Sequence, residues 1–249
     1  MRAFFALLAT ALRQLLGGRR IILLALMGLL PAAVLAVLLA DERVATGAQT
    51  AFHQAPFTIL FFVVLPVASL IFGTAALGDE RRDGTLSFIL LRPLPRSVLA
   101  GAKLLAAWLS TFAVVGAGAA VMSVLLGLRF SEWDQLGPLL AAVALSTLAY
   151  VSVFLVLGYL TGRAVLIGLV YVFVWESGMT AAVTSLATVS LMRIGLSAYA
   201  GLVPAGRAHV EDLLGVVQPG AGGAVAKAAV IAVLAVGSVT ALLRYRDVT

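Results

Sequence analysis

An all-α integral membrane fold is predicted by three features of this 249-residue sequence: 62% hydrophobic residues, 11% charged residues, and long charge-poor runs separated by short polar segments. A mean hydropathy of +1.11 leaves too few polar side chains to cover a water-soluble domain. The runs are apolar on every face rather than alternating, which argues against a membrane β-barrel. Crossing about 30 Å of hydrocarbon takes about 20 helical residues. Six runs are read as crossings: 21–40, 56–78, 104–128, 136–162, 164–191 and 225–243.

Residues 1–20 place Phe4, Phe5, Leu8, Leu12, Leu15 and Leu16 on one side and Arg2, Arg13, Arg19 and Arg20 around them. This predicts a helix lying in the membrane interface, with Gly17-Gly18 as the hinge into the first crossing. Ala9-Thr10-Ala11 imitates a signal-peptidase site, but the amphipathic pattern runs on past it, so the segment is read as retained. In the second run Pro66 is placed to kink the helix. Gly116 and Gly118 in the third, and Gly158 with Gly162 at the end of the fourth, permit close helix packing.

The fifth run reaches Trp175 and then Glu176, about 18 Å from its start at 1.5 Å per residue. Two placements follow for this carboxylate. If the helix continues to about Leu191, Glu176 lies beyond the midplane facing a bundle interior or cavity, with Tyr159, Thr161, Ser177 or Thr180 near it. If the helix breaks at Ser177-Gly178, Glu176 lines a wet outer vestibule. Residues 177–224 are too long and too apolar for an ordinary loop, and 192–224 are read as an external segment. Lys227 sits near enough to the outer end of the sixth run to snorkel.

Orientation follows from Lys and Arg. With the N-terminus in the cytoplasm, the inner segments hold Arg2, Arg13, Arg19, Arg20, Arg81, Arg82, Arg92, Arg96, Lys103, Arg163, Arg244 and Arg246, twelve of the seventeen basic residues. That bias predicts both termini in the cytoplasm. The net charge of +6 is accounted for by this topology and by anionic lipid headgroups, without a nucleic-acid partner.

The densest charge lies in 79–103, DERRDGTLSFILLRPLPRSVLAGAK, which holds three acids and five bases around Leu86, Phe88, Ile89, Leu90 and Leu91. It reads as an amphipathic surface helix stopped by Pro93 and Pro95. The order of Asp79 and Glu80, Arg81 and Arg82, Gly84-Thr85, Leu86, Pro95-Arg96 and Lys103 resembles the first cytoplasmic loop of type-2 ATP-binding-cassette (ABC) export permeases. The resemblance implies that this loop docks on a separate ABC ATPase subunit, with Glu80 at the family's glutamate position and Arg96 and Lys103 at its basic positions. It further implies two copies of that ATPase, which would carry ATP and Mg, and a second permease subunit, read as an identical copy. The location implied is the bacterial plasma membrane. On the residues alone, Glu80 has a second role open to it, a local pair with Arg81 or Arg82.

Other chemistry is scarce. The sequence has no GxxxxGK[ST], so nucleotide handling falls to another polypeptide. It has no cysteine, and its two histidines, His53 and His209, fall in predicted outer segments, so no metal site, cofactor or catalytic residue is expected in this chain. Two other functions stay open at this level. One is an ATP-independent secondary transporter or channel, the other a membrane assembly or maturation factor.

Overall fold

The computed structural model describes residues 2–17, 20–40, 52, 55–86, 94–179, 190–203, 207, 210–211 and 220–245. Among the described residues all regular structure is helical. Helix α1 is Arg2–Leu16, α2 Arg20–Ala40, α3 Ala55–Arg82, α4 Arg96–Phe130 and α5 Leu136–Leu160. Helix α6 is Ala164–Val170 and continues as a π-helix, Tyr171–Met179; α7 is Met192–Leu202 and α8 Gly220–Tyr245.

Among the described residues five helices are long and apolar enough to cross a membrane: α2, α3, α4, α5 and α8. The expected fifth run supplies only a shorter apolar helix, Ala164–Glu176, and residues 180–189 of that run lie outside the described residues. Two helices extend beyond the apolar runs that predict them. Helix α3 carries on through Glu80 to Arg82, and α4 starts at Arg96, so the charged residues sit on helix ends. With 35 residues, α4 is about 50 Å long, well over the hydrocarbon thickness. Of the amphipathic helix expected over 79–91, residues 79–82 are instead the last turn of α3 and 83–85 form a turn, while 87–91 lie outside the described residues, which resume at Leu94.

Proline explains the irregularity in α3. The Pro66 ring has no N–H and crowds the carbonyl four residues before it. The preceding turn widens into a π-helix over Leu60–Val64, and the Leu65 N–H donates to the Leu60 carbonyl, five residues back. The extra residue per turn accommodates the proline without ending the helix.

Helix α5 is the central post, touching α3, α4, α6, α7 and α8. Tyr150, Val151, Phe154 and Leu155 on it are fully buried. Several Ser and Thr hydroxyls inside the helices bond locally: Thr74 donates to Leu70 O and Thr147 to Val143 O, each at 2.7 Å. Such back-bonding keeps polar groups paired where no water is available. Helix α1 packs on α4, with Leu7 and Leu15 against a cluster around Leu77, Leu99 and Leu104.

Two crossings depend on the absence of a side chain. A Cβ on Gly118 of α4 would lie 1.9 Å from the Gly28 carbonyl oxygen of α2, and one on Gly158 of α5 would lie 2.5 Å from the Thr74 carbonyl oxygen of α3. Both obstacles are backbone, so the helices would have to separate. Close contact of this kind supplies the van der Waals attraction that holds helices together in lipid.

Gly118→Ala is therefore expected to lower stability by about 1–3 kcal/mol, the usual cost of overpacking. Gly137→Ala, where an added Cβ meets nothing within 4 Å, should change stability by less than about 0.5 kcal/mol. Unfolding of both variants in detergent, followed by tryptophan fluorescence, measures the difference; equal stabilities would show that the α2–α4 crossing is loose.

Candidate functional site

The charged end of α3 is built by its helix stop. Gly84 adopts φ +69°, a left-handed conformation that glycine reaches without strain. The Gly84 N–H donates to Arg81 O at 3.3 Å and the Thr85 N–H to Glu80 O at 3.0 Å. This pair of bonds is a Schellman stop, which takes up the last carbonyls of the helix. The Thr85 hydroxyl adds a second bond to Glu80 O at 3.3 Å. Chain direction reverses here, and Leu86 turns back to be buried against the cluster that holds Leu77 and Leu99.

With the helix end fixed, its charged side chains point to different neighbours. Glu80 is buried, and its Oε1 accepts from the Lys103 ammonium of α4. Lys103, buried as well, also reaches Gln14 Oε1 of α1 at 3.4 Å. Arg81 donates to the Tyr159 carbonyl of α5, and its guanidinium lies over the Tyr159 ring, 5.7 Å from the centroid. Arg82 is largely exposed and pairs with Asp79 one turn before it. Pro95 sets the start of α4, accepting from Val98 N–H at 3.0 Å, and Arg96 is half-buried in its first turn.

Glu80 is thus placed differently from both readings of the sequence. Its partner is neither Arg81 nor Arg82, and its carboxylate faces inward. The site residues Asp79 to Leu86 and Pro95 to Lys103 are brought together, but Glu80 and Lys103 form one ion pair rather than two separate surface charges. Sequence reasoning missed Gln14 altogether and set Tyr159 near Glu176 instead of Arg81. No local signal marks them, because each is joined to the charged turn only through helix packing.

A second polar cluster lies part-way along the bundle, at the level of Tyr150 of α5. Glu176 is 2% exposed. Its Oε1 accepts from the Tyr171 hydroxyl at 2.9 Å and from the Leu191 N–H at 2.7 Å, and its Oε2 from the Ser190 hydroxyl at 2.5 Å. Tyr150 of α5 also interacts with this carboxylate, and Arg193 lies within range of its charge. The wet-vestibule placement is thereby corrected. The helix does not break after Glu176 but continues in π form through Met179, and the segment beginning at Ser190 covers the carboxylate. Neither Tyr159 nor Thr161 contributes to it; Trp175, beside it, is half-buried. Helix α7 continues from this anchor, with Gly195 against Ser146 and Ala142 of α5. At its far end the Tyr199 hydroxyl donates to Gln135 Oε1 at 2.7 Å, and the Tyr199 ring packs on Phe57 at 5.1 Å. Residues 192–202 are thus a buried helix docked on the bundle.

Neither cluster has the makings of a metal centre: among the described residues no three His, Cys, Asp or Glu side chains converge. Both serve to join helices. In comparison with known protein families, a model described as ABC-2 family transporter protein matches residues 18–189, more than half of the chain. The chain belongs to the ABC-2 family of transporter proteins. It is a multi-pass membrane permease of that family, and the match takes in α2 to α6 together with the charged turn and Glu176, leaving α1, α7 and α8 outside it. No curated protein matches the chain.

The geometry at Glu176 gives a measurable expectation. Glu176→Gln keeps the shape but substitutes an amide NH2 for one of two acceptor oxygens, so it should destabilise the permease by about 1–3 kcal/mol. Tyr171→Phe, which removes only one donor, should cost about 1 kcal/mol. Protease protection of the 190–203 region, read in detergent, should fall in the same order. Full protection in Glu176→Gln would mean that the carboxylate does not hold α7.

Proposed function

We propose that this ABC-2 permease is the membrane subunit of a bacterial exporter, driven by two copies of a separately encoded ATPase that bind ATP and Mg. Two identical permease subunits enclose the pathway, in the plasma membrane, with both termini in the cytoplasm. Six crossings are required for that topology, the fifth being α6 with its π-helical extension and the residues that follow. Loop 79–103 is the part that meets the ATPase.

The observation that carries this reading is the bracing of the loop's two ends. Glu80–Lys103 ties α3 to α4, Gln14 adds α1, and Arg81 with Tyr159 adds α5. A displacement applied to the loop is therefore delivered to three long helices and the interfacial helix together, which is what rigid-body switching between inward and outward access demands. Glu80 acts inside the permease as the brace, while the exposed Arg82 is left to face the partner.

Removing one member of a buried pair leaves an uncompensated charge and costs about 3–5 kcal/mol. Glu80→Lys and Lys103→Glu are each expected to lose ATP-driven transport in vesicles co-reconstituted with the ATPase, while the double swap Glu80→Lys/Lys103→Glu recovers a substantial part of it. ATP hydrolysis and flux measured in parallel separate uncoupling from loss of assembly. Wild-type coupling in both single variants would refute the brace.

The absence of native cysteine makes topology directly testable. Single cysteines at Gln49, Glu132 and His209 should react with an impermeant maleimide on intact cells, and those at Arg92 and Thr249 only after permeabilisation. Labelling of Thr249 from outside would mean an odd number of crossings.

A further inference from the structure

A cavity of about 300 Å³ lies between α1, α2, α3 and α4 at the charged end of the bundle. Its lining changes character along its length. Asp79, Glu80 and Asp83 stand at one end, and Leu24, Ile71 and Phe72 at the other. Ile71 and Asp79 are on one continuous helix, so the change takes place over about 12 Å. A charged mouth grading into an apolar floor at the membrane face has the profile of a site for an amphiphile.

The chemistry of the mouth selects the head. Among the described residues Lys103 is the one cation in the lining, against three carboxylates. Asp79 is paired with Arg82, but Asp83 makes no ion pair among the described residues. Glu80 is more than nine-tenths buried, and only its Oε1 is engaged by Lys103; its Oε2 is buried and has no hydrogen-bond partner. A buried carboxylate oxygen without a donor is costly, and it is relieved best by a charged N–H. A quaternary ammonium has no N–H to give, and an anionic head is repelled by the surplus of carboxylates.

We propose that this cavity binds the head and first chain segment of an amphiphile bearing a primary ammonium, taken from the membrane leaflet on this side. The ammonium donates to Glu80 Oε2 and faces Asp83, and the chain lies along Ile71 and Phe72. Two sources share this chemistry: a phosphatidylethanolamine of the bilayer and an alkylammonium arriving from solution. The inference does not depend on the transport reading, since it concerns binding alone.

Native mass spectrometry of the full chain, released from micelles holding equal amounts of palmitoyl-oleoyl phosphatidylethanolamine, phosphatidylcholine and phosphatidylglycerol, tests it. The ethanolamine lipid should be retained preferentially, and Glu80→Gln should weaken its retention about tenfold, the loss expected for a hydrogen bond to a charged group. Ala75→Leu, which leaves the Glu80–Lys103 pair intact and adds bulk to the cavity lining, should weaken retention as well, and it decides the matter alone if Glu80→Gln does not fold. Ethanolamine lipid carried through purification marks a resident lipid; a site empty as purified that saturates with added dodecylamine marks an incoming alkylammonium. Equal retention of the three lipids, or ethanolamine retention unchanged in Ala75→Leu, would overturn the proposal.

Discussion

The Glu80–Lys103 ion pair is the interaction on which the charged end of this permease depends. Two opposite charges are held in a buried position, Glu80 at the last turn of α3 and Lys103 two turns into α4. Neither charge is tolerable there without the other, because desolvation of a lone ion costs several kcal/mol. The pair therefore fixes the register between two helices that the apolar surface alone would let slide. In lipid this matters more than in water, since apolar faces of neighbouring helices gain little from each other beyond close packing.

Other contacts are arranged around that register. The Schellman stop at Gly84 ends α3 where Glu80 still faces α4, and Arg81, next along the helix, faces α5 instead. One short charged sequence thus addresses two neighbouring helices, because successive residues on a helix diverge by about 100°. The close approach of α3 and α5 at Gly158 brings their backbones near enough for Arg81 to reach Tyr159.

Part-way along α5, Glu176 does for α7 what Glu80 does for α4, with a different set of donors. It is answered by hydroxyls and a backbone N–H, so it holds a segment that has too little apolar length to cross the membrane by itself. The π-helical form of 171–179 is part of that arrangement. In an α-helix, residues five apart diverge by about 140°, and Tyr171 would be turned away from Glu176; the wider turn brings them to 2.9 Å.

Much of the architecture was legible in composition and spacing. Apolar runs of sufficient length dictate helices in a medium that cannot satisfy free backbone groups, and the break between Leu16 and Arg20, the charged turn at Gly84 and the family resemblance all rest on short-range features of the sequence. The sequence also marked Glu80 and Lys103 as charges of a surface loop and Glu176 as a carboxylate inside an apolar run. Their partners were decided only by the tertiary structure. Lys103 is 23 residues from Glu80 and Gln14 is 89 from Lys103, and no periodicity links positions on separate helices. The length of the fifth run suggested an ordinary crossing, whereas its π geometry and the return of Ser190 over Glu176 depend on packing against α5. A buried charge announces that it needs a partner, but which helix supplies that partner is set by how the backbones cross.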